Sequence, residues 1–429
     1  MIDIKDFYKT FFFILLTFIT SRLQMQTDII MLTHLGSSEV ASFVIPSKFM
    51  IIDTIIAFAL APIVSVTISS KKDDILERNK LIRSFLGFTL FLSLVLMFFG
   101  FWFYPLLIHN FVDGVVVREL ALDGIFWLNL SIPVRMLVFI ATMSLYATES
   151  KNKIWYVYIF ALMANIFFNW LFIFYFEYGF RGVYISTLIV YSIELFWMLY
   201  LVSKETRNYP ISRFKFSILK DIIQKMYAEG SRLASAQFGG FLLIAILSSK
   251  DKFISILTAF SVISLFHDLL LMPFIALMRS SAMKIAEIEN KDISGAYRLV
   301  IHIVPSVIVI AAFIGGGVAL MYHYIGHDIY YLASNSLSWW HTFAIMMGIS
   351  LPIYAYGYLL RSSFQACGAF QYISKLEMST LWMISLPLKI YAIYMNNSFL
   401  FFLSSILVEI IIILFLIKKL KLSYHLIPD

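Results

Sequence analysis

The residues of this chain best suited to chemistry are a carboxylate, two amides and a hydroxyl: Asp28, Asn165, Asn169 and Thr187. Their oxygens are hard donors, suited to a proton or to a cation such as sodium. Each lies in a long apolar run, and depth arithmetic puts all four in one layer. The run holding Asp28 ends near residue 34, so at ~1.5 Å per residue Asp28 sits roughly 9 Å below the helix end. The run holding Asn169 ends near residue 176. That leaves Asn169 about 10 Å deep, with Asn165 one turn lower on the same stripe. The next run starts near residue 180 and carries Thr187 to about 10 Å. A carboxylate held out of bulk water there responds to the proton concentration on the side that reaches it. Two readings stay open: an ion-coupling site, and a hydrogen-bond cluster that only joins three helices.

A charge at the centre of a bilayer costs ~2.5 kcal/mol or more, so every other ionisable residue in an apolar run needs a partner, a wet cavity or an interfacial position. Glu194 follows Thr187 by seven residues on the same face. It is an anchor for a cationic cargo or the counter-charge of Arg22 or Arg135. His267 and Asp268 form the only titratable pair on their helix. With Arg22, Glu194 and Arg232 they make up the candidate substrate-cavity residues. Asp53 is expected to pair with Lys48, and Glu409 with Lys389, while Asp123 and Lys48 snorkel from span ends.

The elements that position these side chains follow from composition. Of 429 residues 61% are hydrophobic and only 14% are charged; an average soluble domain has about 25% charged residues. So much apolar surface excludes a soluble enzyme and requires burial in lipid, which allows only helices or closed barrels to span. Apolar runs predict twelve helices near 8–33, 40–69, 82–107, 119–147, 154–176, 180–202, 231–249, 253–279, 297–322, 337–361, 377–395 and 397–418. The fold class is all-α, a polytopic membrane protein. The first run is longer than a signal-peptide core and reads as a retained helix.

Alternate loops differ in basic residues: 24 Lys and Arg fall on one side, against Arg118, Arg181, Lys250 and Lys252 on the other. Both termini are therefore expected in the cytoplasm. The net charge of +7 is topological rather than a sign of a nucleic-acid partner. Residues 206–230 read as a cytoplasmic linker between lobes 1–205 and 231–429. The lobes echo each other: Ser21-Arg22-Leu23 recurs as Ser231-Arg232-Leu233, and Pro62 with Ser69 and Ser70 recurs as Pro273 with Ser280 and Ser281. Two parallel six-helix repeats imply a central cavity between bundles that rock, the architecture of a transporter. One chain with both lobes suffices as a functional monomer.

No GxxxxGK[ST], HExxH, GxSxG or CxxC pattern occurs, so neither ATP chemistry nor catalysis is expected, and no cofactor is called for. Cys367, the single cysteine, excludes an internal disulfide and reads as a small packing residue. His323 and His327 have metal-like spacing but read as a solvated loop. Transport then runs on an ion gradient or downhill.

Several segments resemble one known family. TDIIMLTHLGSSEVASF at 27–43 and NIFFNWLFIFYFEYGFRGVYIST at 165–187 resemble the first-to-second and fifth-to-sixth helix passages of the multidrug and toxic compound extrusion (MATE) family. MPFIALMRSSA at 272–282 and LLRSSFQACGAF at 359–370 resemble the ends of its eighth and tenth helices. The resemblance implies a proton- or sodium-coupled antiporter in a cell membrane, exporting an amphipathic small molecule such as a drug, toxin or natural product. It places Asp28, Asn165, Asn169 and Thr187 on the family's cation-coupling positions. The second-lobe acids used by some members are missing, with Gly240 and Tyr354 at approximately those positions. Lipid-linked oligosaccharide flippases share the superfamily and are the main alternative, because Arg22, Arg135 and Arg232 would suit a pyrophosphate. A non-transport scaffold or intramembrane enzyme is the remaining one.

The topology is tested by labelling. In a Cys367→Ser background, Arg181→Cys is expected to react with a membrane-impermeant maleimide on intact cells and Lys71→Cys to resist it; the reverse pattern would invert the assignment.

Overall fold

A computed structural model describes residues 4–36, 39, 42–43, 51–111, 115–148, 150–207, 216–248, 254–287, 293–329, 332 and 334–424. Its helices are α1 Ile4–Thr33, α2 Ile51–Ser69, α3 Ile75–Phe111, α4 Val115–Leu145, α5 Lys151–Trp170 and α6 Phe180–Thr206. They continue as α7 Phe216–Ser248, α8 Ile254–Ala286, α9 Ile293–Leu320, α10 Ser334–Ala366, α11a Phe370–Thr380, α11b Leu386–Tyr394 and α12 Ser398–Tyr424. A π-helical turn, Leu171–Tyr175, extends α5, and another, Leu381–Ser385, joins α11a to α11b.

Ten of these helices are long and apolar enough to cross a membrane. The other two spans are α1, whose second half carries Arg22, Gln24, Gln26 and Asp28, and the α11a–α11b rod with its Lys375 and Glu377. Over the described residues the chain is an all-helical, multi-pass membrane protein. Backbone groups satisfied within each helix are what lipid demands of a spanning segment.

The chain divides into two compact units, Tyr8–Met226 and Tyr227–Asp429, with Met1–Phe7 counted in the second. The first holds α2–α6 and nearly all of α1. Inside it α4 is central, packing on α2, α3 and α6. In the second, α10 packs on α8, α9 and α12. Both units have a π-turn in their fifth helix, α5 and α11.

Two expectations are corrected. The segment 206–230 is not a linker throughout, because α7 begins at Phe216 and runs unbroken into the span. Its charges lie on a helix, where Lys225 bonds Asp221 one turn earlier at 2.5 Å, the i,i+4 arrangement that supports an exposed face. Cys367 is exposed, in the turn after α10, rather than packed between helices. Lys48 and most of residues 37–50 lie outside the described residues.

Close backbone approach sets the α9–α10 contact. A Cβ on Gly315 would stand 2.5 Å from the Gly348 carbonyl oxygen, and one on Gly348 would stand 2.8 Å from that of Gly315. Small residues let membrane helices approach closely enough for dispersion to join them. Gly315→Val and Gly348→Val are each expected to destabilise by ~1–3 kcal/mol through overpacking, read as a lower melting temperature of detergent-purified protein. An unchanged melting temperature would remove this contact from the fold's determinants.

Candidate ion-binding site

Helix α1 carries a buried polar stripe: Thr17, Thr20, Gln24 and Asp28 are 2%, 6%, 7% and 6% exposed. Steps of three and four residues keep them on one face. Asp28 lies five residues before the end of α1, ~7 Å along the axis. Facing it on α5, one turn apart, are the buried Asn165 and Asn169.

The three side chains meet. Asn169 Nδ2 donates to Asp28 Oδ1 at 2.6 Å and Asn165 Nδ2 donates to the same oxygen at 3.1 Å. Asn169 Nδ2 also reaches Asn165 Oδ1 at 3.3 Å. Asn169 Oδ1 is buried with no hydrogen-bond partner. The cluster thus joins a carboxylate to an unpartnered carbonyl oxygen, with amide N–H groups as its only recorded hydrogen-bond donors. Such a donor set fits a proton or a small hard cation. The π-turn starts two residues beyond Asn169, and π-turns inside α-helices recur at functional sites. Nothing in Leu171–Tyr175 marks it in sequence, since the segment lacks both Gly and Pro.

Thr187 does not join this group. It is half-buried, and its hydroxyl donates to the Val183 carbonyl of its own helix at 2.8 Å, the usual back-bond of a mid-helix threonine. A residue not foreseen is Tyr184. It is 2% exposed, within electrostatic reach of Asp28, and its hydroxyl has no partner. It occupies space left by Gly124, whose Cβ would stand 2.6 Å from that hydroxyl.

The other charged residues sort by partner. Glu194 is 1% exposed and accepts from Gln24 Nε2 at 3.3 Å, so of its two readings the counter-charge of Arg22 or Arg135 is not the one observed. Arg22 is exposed, since two residues before Gln24 a side chain points away from the buried face of α1. Arg135 instead bonds Asp53 at 2.8 Å. The expected Lys389–Glu409 pair is replaced by Arg361, which grips Glu409 at 2.5 and 2.8 Å; Lys389 lies over the Phe401 ring. A fork of two donors matches a carboxylate better than an ammonium does. Arg361 also bonds Glu377 at 2.5 Å, and Glu377 accepts from Arg232 at 2.7 Å. Arg232 further bonds Glu229 at 2.6 Å, so its donors are committed within the unit. Glu229, missed in sequence, was signalled by its i,i+3 spacing from Arg232. Asp123 meets Arg181 at 2.7 Å, joining α4 to α6.

His267 stands 3.8 Å from Asp268, which is largely exposed. His323 and His327 stack with ring centroids 5.3 Å apart, and His327 Nδ1 contacts Asp328 at 2.7 Å. Among the described residues no group of three His, Cys, Asp or Glu could hold a metal ion.

Comparison with known proteins bears on the fold. Residues 14–171, which contain Asp28, Asn165 and Asn169, match the MatE family model. No curated protein matches in sequence. Solved structures match over nearly the whole chain. A MATE point mutant is 14% identical, with 98% of this chain and 97% of that one covered and a TM-score of 0.88. A MOP-superfamily transporter from Pyrococcus furiosus is 14% identical, with 97% and 96% covered and a TM-score of 0.85. The Vibrio cholerae MATE transporter VcmN in its bent form is 15% identical, with 98% of each chain covered and a TM-score of 0.83.

The Asp53–Arg135 pair makes a test of scaffold against site. Arg135→Met leaves a buried carboxylate uncompensated and is expected to cost ~3–5 kcal/mol, whereas Asp53→Leu with Arg135→Met should recover most of it. Thermal unfolding of the three proteins checks this. A double variant no more stable than the single would show that the pair does more than neutralise itself.

Proposed function

We propose, from the match of residues 14–171 to the MatE family model and from the fold shared with MATE transporters, that the chain is an ion-coupled antiporter exporting amphipathic organic compounds by alternating access. The observation that carries the reading is the Asp28–Asn165–Asn169 cluster: a buried carboxylate balanced by amides alone, beside an unpartnered carbonyl oxygen. A proton or sodium ion supplies the positive charge that this cluster lacks among its own side chains. Its arrival from outside the cell weakens the grip of Asn165 and Asn169 on Asp28 and so shifts α1 against α5.

Coupling is a matter of competing states. If the ion and the cargo favour different conformations, binding one disfavours the other, and the ion gradient drives export. The cargo is a drug, toxin or natural product of amphipathic and cationic character. The basic loops set the cytoplasmic side of the cell membrane, with both termini there. The protein needs no cofactor beyond the coupling ion and acts as a monomer. Export is favoured over lipid-linked oligosaccharide flipping because two of the three arginines suited to a pyrophosphate, Arg135 and Arg232, are committed to carboxylates.

Asp28→Asn is expected to abolish efflux of a fluorescent organic cation, driven by a proton or sodium gradient in everted vesicles, while leaving membrane insertion intact. Undiminished efflux would refute the coupling assignment. Asn169→Ala removes a hydrogen bond that favours the ionised carboxylate, worth ~1.5–3 kcal/mol, so the ion concentration giving half-maximal efflux should shift ~10-fold or more, to lower proton concentration where the proton is the coupling ion, and by more than in Asp53→Ala. Running the same assay under each gradient separately identifies the ion. A protein that flips lipid-linked sugar would fail it under both and would instead lose surface polysaccharide on deletion.

A further inference from the structure

Five carboxylates among the described residues are less than 9% exposed: Asp28, Asp53, Glu194, Glu229 and Glu409. Arginine bonds Asp53, Glu229 and Glu409. Asp28 is held by two amides. Glu194 has less than any of these: its only recorded hydrogen bond is a long one from Gln24, and Oε2 is buried with no partner. An isolated ionised carboxylate in an apolar interior is so costly that the group takes up a proton instead.

Among the described residues, the surroundings of Glu194 offer no fixed cation. From α1 it meets Gln24; from α5 the nearby titratable group is Tyr158, and from α6 Tyr191, both in electrostatic reach. The Tyr158 hydroxyl is shared with Thr142 of α4 at 3.0 Å. Arg135 is bound to Asp53, and Arg22 is exposed. The oxygen donors recorded here are too few for a sodium ion, which needs several, but one proton is enough to neutralise the site.

Gln24 and Asp28 are one turn apart on the buried face of α1, so the helix that carries the first carboxylate also carries the only amide on the second. We propose that Glu194 is a second proton-binding carboxylate of the transporter, linked to Asp28 through α1, so that a displacement of that helix changes both sites together. The assignment rests on the reading of Asp28 as the coupling group and extends it. Glu194 holds its proton while Gln24 is its neighbour, and loses it when α1 moves and water reaches Oε2.

Infrared difference spectroscopy between neutral and alkaline buffer, on purified protein in lipid, reads buried carboxylic acids directly through their carbonyl band. Glu194→Gln is expected to remove one component of that band and leave any Asp28 component in place; Asp28→Asn should leave the Glu194 component present but shifted in its titration. Gln24→Leu should move the Glu194 component to higher frequency, because it deletes the donor without touching the carboxyl group. A spectrum unchanged by both Glu194→Gln and Gln24→Leu overturns the proposal, whatever Asp28 does. A Glu194 component that titrates identically with and without Asp28 overturns the linkage through α1. Failure of the coupling reading shows separately, as efflux that survives Asp28→Asn. Should Glu194→Gln not purify, Gln24→Leu keeps the same readout.

Discussion

The structure depends above all on the absence of solvent that could stabilise a charge inside it. Carboxylates and guanidinium groups taken out of water lose several kcal/mol each unless something replaces the hydration. The protein makes that replacement in two ways. Asp53, Glu229, Glu377 and Glu409 are matched by arginines, which are permanent charges and hold in either state of a gradient. Asp28 and Glu194 are matched by asparagine and glutamine, which are dipoles and leave a net charge to be cancelled by something exchangeable. The first arrangement holds helices together; the second leaves a group free to change its charge.

The position of each arrangement agrees with its use. The arginine network of the second unit ties four helices, through Glu229 and Arg232 of α7, Arg361 of α10, Glu377 of α11a and Glu409 of α12. Loss of one member would strand the next, so the network acts as one clamp. The amide-held carboxylates gather instead along α1, α5 and α6 of the first unit. There α5 ends in a π-turn directly after the asparagine pair, and the chain leaves it through two residues of positive φ, Glu177 at 57° and Gly179 at 53°. Gly182 lets α6 return close under that turn, since a Cβ there would stand 2.8 Å from the Phe172 backbone. The asparagines are thus fixed from the far side by backbone packing.

How much of this is legible in the sequence depends on the scale of the interaction. Helix placement is set by runs of apolar residues tens of positions long, so the described helix ends could be read to within seven residues almost everywhere. The exception is α7, whose charged first half looks like a loop by apolar content although it is helical from Phe216 and carries the i,i+4 pair of Asp221 and Lys225. The meeting of Asp28, Asn165 and Asn169 follows from rise per residue alone. Thr187 fails for a reason that depth cannot carry: a hydroxyl one turn from its own carbonyl bonds locally before it reaches a neighbour. Pairing of charges was the least legible, because partners such as Arg361 and Glu409 are selected by helix rotation and by the space over Gly357, where a Cβ would stand 1.9 Å from the carboxylate.

The asparagine at 169 has a consequence of its own. A second carboxylate in that place would sit within hydrogen-bond distance of Asp28, and two like charges so close share one proton between them and titrate as a pair. With an amide there, the cluster changes by a single charge, and the hydrogen-bond donors that favour the carboxylate act against the desolvation that disfavours it. The same balance at Glu194 rests on one long bond instead of two shorter ones, which makes it the more sensitive to any movement of α1. A helix that bears both amide-held contacts can therefore transmit a single displacement to two charges, without an ion pair having to break.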